Sequence, residues 1–313
     1  MALTPREVEQ FEAARPRLGA IAYRMLGSAT EAEDAVQDVF LRYAAVDRAG
    51  LRSADAWLTK ALTNLCLDRL SSGRARRERS FGQWLPEPVL DGDPMLDPAE
   101  TAEQRESVSL AMLVLYERLQ PLERAVYVLR EAFSHSHREI AGILDITEAA
   151  SQQHLHRARR RIGTVDREER LDAAAARRVA EAFLAAATSG DKGRLIALLR
   201  DDATAIGDGG AVPTIPRAYR GAERIAAYLR GIAVPTPVKR RLLGGAPAIH
   251  AAVVNGSPAL VAVVDGTAVA AMALTVANGK IAAVLSYADP GKLSYLNRQW
   301  RAEAPEPPLV DAW

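Results

Sequence analysis

Three dipeptides near the end of the chain, Asn255-Gly256, Asp265-Gly266 and Asn278-Gly279, separate short runs rich in Ala and Val. Asn and Asp tolerate positive φ, and Gly adopts it without penalty, so these pairs favour the tight turns that match the twist of paired strands. The runs AIHAAVV, ALVAVV, AVAAMALTV and KIAAVLSY therefore read as successive antiparallel strands, with VKRRLL (238–243) expected as a strand before them. The preceding stretches 171–189, 191–200 and 221–231 have helical spacing, so residues from about Leu171 predict a helical layer followed by a meander, an α+β domain.

The first half of the chain keeps a helical period. Phe11, Leu18, Ile21, Ala22, Met25 and Leu26 form one stripe, closed by Gly27. Ser28 or Thr30 suits the cap of a second helix, with Ala32, Ala35, Val36, Val39, Phe40 and Tyr43 inward. A third begins near Ser53 and buries Trp57, Leu58, Ala61, Leu62, Leu65 and Leu70. Pro86, Pro88, Pro94 and Pro98 mark residues 80–103 as a flexible linker. Helices are expected again at 104–119 and 121–133. SHREIAGILDI, a turn at Thr147 and EAASQQHLHRARRRI then predict a helix-turn-helix with a basic end.

A net charge of +1 does not mark a nucleic-acid binder, and neither half does so. Residues 1–163 carry 22 Lys and Arg against 24 Asp and Glu, and the remainder 18 against 15. The signal is local. Arg69, Arg74, Arg76, Arg77 and Arg79 form one basic cluster, and Arg157, Arg159, Arg160 and Arg161 another. Glu31, Glu33, Asp34 and Asp38 form an acidic one, so two kinds of partner are expected. Cys66 is the single cysteine, which excludes an internal disulfide and suits a packed core thiol. The N-terminus lacks the layout of a secretion signal, and no apolar run is long enough to span a membrane, so a cytoplasmic location is expected.

GAIAYRMLGSATEAEDAVQDVFLRYA (19–44) with DAWLTKALTNLCLDRLSSGRARRE (55–78) resembles the second conserved region of extracytoplasmic-function (ECF) sigma factors. LQPLERAVYVLREAFSHSHREIAGILDITEAASQQHLHRARRRI (119–162) resembles their fourth region. WLPEP (84–88), GDGG (207–210) and DPGKL (289–293), with the α+β tail, resemble the subgroup carrying a fused SnoaL-like cone. Ala211 stands where that subgroup commonly has a third glycine, and ADPGKL where it usually has an asparagine and an aspartate.

The resemblance implies two all-α domains followed by an α+β SnoaL-like cone: region 2 at 5–79, the linker at 80–103, region 4 at 104–163, the cone at 171–296 and a tail at 297–313. It implies core RNA polymerase as partner, through its largest-subunit coiled coil and its flap, together with promoter DNA. Asp34, Gln37 and Asp38 share one helix face and would dock the coiled coil. Asn64 and Asp68 would sit beside the pocket for a flipped base of the minus-ten element, with Arg69, Arg74, Arg76 and Arg77 on phosphates. Gln152, Gln153, His156 and Arg157 would face the major groove of the minus-35 element, with Arg159 and Arg160 on phosphates. Ala150, Leu155, Ala158 and Ile162 would face the partner helix. Trp84, Leu85 and Pro86, then Asp208, Gly209 and Gly210, then Asp289, Pro290, Lys292 and Leu293, would form regulatory contacts between domains.

No metal or cofactor site is expected, because His154 and His156 at i, i+2 do not share a helix face. His250, Asp208 and Asp265 are the acid–base candidates for catalysis in the cone, but no motif links them. A small ligand in the cone and a monomeric free chain complete the expectation. Two readings from other classes stand beside it: a ligand-gated DNA-binding regulator independent of polymerase, and a cyclase-like enzyme with a helical appendage.

Overall fold

The computed structural model describes residues 3–47, 50–51, 53–77, 84–96, 107–163, 169, 171–208, 218–302 and 306–313, without the side chains of 73–77. The chain forms two compact units. One takes the chain up to residue 80 together with 92–165; the other takes 81–91 together with 166–313.

The first unit is helical. Helix α1 (Pro5–Leu26) starts in a capping box, with Thr4 accepting from the Glu7 amide, and stops at Gly27 with φ of 67°. Ser28 caps α2 (Ala29–Ala45), and α3 (Ala54–Arg77) follows. Phe11 packs on Phe40 at 4.7 Å between ring centroids, and Tyr43 on Trp57 at 5.9 Å, which joins the three helices through aromatic contacts. Trp57 is thus a packing residue.

Helix α4 runs Leu110–Tyr116, shorter than the expected 104–119, because Ser109 caps it by accepting from the Met112 amide. Helix α5 (Pro121–Tyr127) opens with Pro121 and passes into a π-helical turn, Val128–Ala132, so the helix expected over 121–133 changes pitch. Helix α6 (His137–Leu144) and helix α7 (Glu148–Ile162) complete the unit.

Two buried arginines bind the front of this unit to its back. Arg24 is 2% exposed; its guanidinium donates to Ser107 Oγ (2.8 Å), Ala20 O (3.1 Å) and Met95 O (3.3 Å). Arg124 is 3% exposed and donates to Tyr116 O (3.0 Å), to Met25 O in the last turn of α1 (2.8 Å) and to Glu117 Oε1 (2.5 Å). A buried charge is tolerable only when its donors are paired. Lys60 of α3 adds a more exposed clamp, reaching Asp145 Oδ1 (2.5 Å) and Gly142 O (3.1 Å).

The second unit is a mixed six-stranded sheet with helices. Helices α8 (Ala173–Thr188) and α9 (Lys192–Leu198) lead into β1 (Leu199–Asp208). After β2 (Tyr219–Arg220) come α10 (Ala222–Ala233) and α11 (Pro237–Leu243). The expected meander follows as β3 (Ala248–Val254), β4 (Ser257–Val264), β5 (Thr267–Ala277) and β6 (Lys280–Tyr287), then α12 (Ser294–Ala302). The sheet order is β2-β1-β6-β5-β4-β3. Asn255, Asp265 and Asn278 all take positive φ at the turns, each followed by a glycine that does the same.

Three expectations for this unit are corrected. VKRRLL is the helix α11, because Thr236 caps it, Pro237 starts it and Gly244 at φ of 81° ends it. The helix expected over 191–200 stops at Leu198, and the unforeseen strand β1 pairs parallel with β6. The tail expected over 297–313 belongs to the domain: α12 spans 294–302, and Val310 forms an antiparallel bridge with Ile249.

Removing the Arg124 guanidinium takes a donor from Met25 O and from Tyr116 O, which keeps the Leu119 amide, and removes the paired charge from beside Glu117. Arg124→Ala is expected to cost about 3 kcal/mol by urea denaturation read from the helical signal. A loss under about 1 kcal/mol would show that these bonds add nothing net.

Candidate nucleic-acid interface

On α2, Ala32, Ala35, Val36 and Val39 turn inward while Asp34 and Gln37 are exposed and Asp38 is half-exposed. Asp38 does not stand alone. Arg69 of α3 donates to Asp38 Oδ2 (2.7 Å) and to the Glu31 carbonyl (2.8 Å). The acidic face of α2 and the C-terminal half of α3 are therefore tied by one guanidinium, which holds a charge-assisted bond at Asp38. Asn64 is half-buried and Asp68 exposed one turn on. Arg74, Arg76 and Arg77 lie in the last turns of α3, and their side chains fall outside the described residues.

Cys66, one position beyond the core residue Leu65, is fully buried, and that burial pushes its thiol up to about 12. At pH 8 almost none is thiolate. Ellman's reagent should leave the folded chain unlabelled and react once urea opens it; rapid labelling of the folded chain would contradict the packing.

The helix-turn-helix is built from capping chemistry. Ser136 and Glu139 form a capping box at the start of α6, and Asp145 at φ of 53° ends that helix. Thr147 caps α7 by accepting from the Ala150 amide (3.1 Å). Ser151, Leu155, Ala158 and Ile162 are the buried residues of α7. Ser151 takes the inward place expected for Ala150, because its hydroxyl bonds His137 Nδ1 (2.8 Å) across the turn.

Gln152, Gln153, His156, Arg159 and Arg160 are exposed on α7. Arg157 is only partly free of the protein: its guanidinium bonds His154 Nδ1 (2.9 Å) and sits 3.3 Å from Glu123 Oε1. Desolvation and then the Arg157 charge hold the His154 imidazole below its ordinary value. Arg161 meets the other Glu123 oxygen at 3.2 Å, and Glu123 is almost wholly buried. Arg159 pairs with Glu131 at 2.8 Å. Sequence reasoning missed Glu123 as the anchor of this basic helix. Its place three residues after Gln120, just past Pro121, is the legible signal of a capping box.

In the second unit, the stretch expected to be part of a flexible linker is instead built into the domain over 84–91. Leu85 and Val89 are fully buried. The Val89 amide donates to Asn255 Oδ1 (3.0 Å), and the Asn255 amide donates back to the Val89 carbonyl (2.9 Å). Leu90 N reaches Gln299 Oε1 (3.0 Å), Asp91 N reaches Val253 O (3.0 Å), and Asp91 Oδ1 accepts from Gly256 N (2.7 Å). Pro86 and Pro88 have no amide to offer a partner strand.

Trp84 lies under the Lys292 ammonium, 4.3 Å from ring centroid to Nζ. Asp289 Oδ1 accepts from Gly291 N (2.8 Å), and Leu293 is buried beside the exposed Pro290. The Asp208 carbonyl accepts from Ala288 N (2.9 Å), next to that segment. Gly209 and Gly210 lie outside the described residues.

The three acid–base candidates do not meet. β1 and β3 are four sheet places apart, which separates Asp208 from His250 by roughly 19 Å at ordinary strand spacing. His250 Nδ1 is 3.0 Å from the Glu306 carbonyl with its ring against Trp300, and Asp265 is exposed at the β4–β5 turn. Among the described residues, no cluster of three His, Cys, Asp or Glu could hold a metal, and no helix is long and apolar enough to cross a membrane.

A three-helix block with an acidic outer face, a helix-turn-helix and an α+β domain define a sigma-type transcription factor with an appended domain. Residues 10–77 match Sigma-70 region 2 and residues 109–162 match Sigma-70, region 4. The chain is 35% identical over 297 residues to the ECF RNA polymerase sigma factor SigJ of Mycobacterium tuberculosis, covering 92% of this chain and 93% of the relative. It is 31% identical to the probable ECF RNA polymerase sigma factor SigI of the same organism, over 92% of this chain and 95% of that one. The crystal structure of SigJ superposes with a TM-score of 0.71 at 33% identity, over 92% of this chain and 99% of that one. The chain belongs to the ECF RNA polymerase sigma factors, with a C-terminal domain that matches the SnoaL-like expectation. It therefore acts in promoter-specific transcription initiation, by binding rather than by bond chemistry.

Asn255 holds the 84–91 segment through its side chain while its backbone needs positive φ. Asn255→Gly keeps the turn and deletes the bond to Val89. Hydrogen exchange at the Val89 and Asp91 amides should rise about tenfold, with the β3–β4 hairpin still protected. Unchanged exchange at both amides would show that the segment is held by its apolar contacts alone.

Proposed function

We propose that Asp34, Gln37 and Asp38 dock the coiled coil of the polymerase's largest subunit, with Arg69 presetting the Asp38 carboxylate. Asn64, Asp68 and the arginines of α3 engage the minus-ten element. Gln152, Gln153, His156 and Arg157 read the minus-35 element, while Arg159 and Arg160 hold phosphates. The helix-turn-helix meets the flap, and the free chain is a cytoplasmic monomer. The observation that carries this reading is that the outer faces of α2 and α7 stay exposed in a unit otherwise fastened by Arg24 and Arg124.

The C-terminal unit regulates by its hold on residues 84–91. That segment lies, along the chain, between region 2 and region 4. Fixing it to Asn255, Gln299 and Lys292 shortens the free tether between the two DNA-binding regions. A small ligand in this unit would adjust that hold. The buried distribution of Leu85, Val89 and Leu90 supports regulation over a loose appendage.

Run-off transcription with purified core polymerase on a genomic promoter library tests the assignment. The full chain should yield specific transcripts and Asp38→Arg should lose them at least tenfold, with retained helical signal. Trp84→Ala with Lys292→Ala, which weakens the hold on 84–91, should change transcript yield while leaving polymerase binding intact. No promoter-specific transcript from the full chain would favour a DNA-binding regulator that works without polymerase.

A further inference from the structure

The C-terminal unit contains an apolar cavity of about 270 Å³. Phe183 of α8, Leu229 and Ile232 of α10, Leu242 of α11, and Leu260 and Met272 of the sheet form its walls. An engineered cavity of about 150 Å³ accepts a single benzene, so this one has room for two fused rings.

Two features show that the space is unfinished as a core. First, α11 lines it yet buries none of its own residues, and Leu242 is 52% exposed. A helix whose apolar side chains border a void lacks the atoms that would cover them. Second, Ser286 lines the cavity at 9% exposure, and its Oγ has no hydrogen-bond partner among the described residues. Ser286 sits opposite Met272 in the β5–β6 register, so both side chains leave the same face of the sheet. A buried hydroxyl without a partner is costly, and a ligand group can supply the missing bond.

The charge of the site restricts what fits. Lys239 is the sole charged residue among the described lining, and its ammonium donates to Gly231 O and Val234 O, both at 2.5 Å, at the end of α10. It serves as a helix cap, not as an anion receptor. With no other charged side chain in the described lining, a charged ligand would be desolvated without a free side-chain counterion.

Trp313 closes one side of the space. Its amide donates to Pro247 O (2.8 Å), its indole Nε1 to Ala233 O (2.9 Å), and its carbonyl accepts from Arg240 Nε (3.1 Å). The last residue of the strap 306–313 is thus fastened across α10, α11 and the start of β3.

We propose that this cavity is a binding site for an uncharged, mostly apolar small molecule of about two fused rings, whose single hydroxyl or carbonyl pairs with Ser286 and over which Trp313 closes. The proposal deepens the reading of the C-terminal unit as a regulatory domain and rests on it for its consequence, but binding is measured without polymerase or DNA.

The test is isothermal titration of the full chain with 1-naphthol, with 1-naphthalenesulfonate as the charged counterpart. Saturable one-to-one binding of 1-naphthol is expected, with the sulfonate at least about tenfold weaker. Ser286→Ala should weaken 1-naphthol about fivefold to tenfold. Ala262→Phe, which fills the cavity from β4, should abolish binding while circular dichroism stays unchanged; should that variant fail to fold, Ser286→Ala still decides. No saturable binding of 1-naphthol up to about 1 mM, equal binding of the sulfonate, or unchanged affinity in Ser286→Ala would overturn the proposal. Run-off transcription on the same preparations keeps the two questions apart. A chain that transcribes but does not bind 1-naphthol refutes the cavity alone. A chain that binds it but does not transcribe refutes the polymerase and promoter assignments alone.

Discussion

A guanidinium cannot be buried with its donors unpaired, and the helical unit is organised around two buried ones whose donors are paired. Arg24 ties α1 to Ser107 and to the carbonyl of Met95, and Arg124 ties the start of the second helical group to the last turn of α1. Each replaces water with backbone carbonyls, including one that the end of α1 leaves without an intrahelical partner. Arg124 and Lys60 therefore fasten regions 2 and 4 together with polar bonds.

The segment 84–91 applies the same logic in the second unit. Pro86 and Pro88 prevent a full ladder, and the holds on the segment include bonds at Val89, Leu90 and Asp91, the Trp84–Lys292 contact and burial of Leu85 and Val89. Asn255 does two jobs there. Its backbone makes the β3–β4 turn at positive φ, and its side chain receives the Val89 amide. Charge on the functional faces is handled in a matching way. Arg69 holds Asp38 on the acidic face, and Glu123 collects Arg157 and Arg161 of α7. These pairs hold charged side chains of α2 and α7 in place.

Much of this was readable in the residues. Capping residues and helical stripes placed α1 to α3, the turn at Thr147 placed the helix-turn-helix, and the Asn-Gly and Asp-Gly pairs placed the meander. The failures have physical causes. VKRRLL mixes apolar and basic residues without a clean period, and only the weight of Thr236 and Pro237 makes it a helix. Strand β1 reads as polar because RDDATAIGD spans an exposed start and a buried end, and its pairing with β6 is parallel and distant in sequence. Ser151 was unreadable as a core residue because its burial depends on the ring of His137.

Local sequence determined the element types, their order and the outward faces of α2 and α7, since caps, turns and periodicity act within a few residues. Tertiary structure alone decided what those side chains touch. It assigned Arg69 to Asp38, Glu123 to the basic helix, the proline-rich segment to the Asn255 turn, and the last tryptophan to the wall of a cavity. Each of these joins residues far apart in the chain, and no short-range propensity specifies which distant donor will meet which buried acceptor.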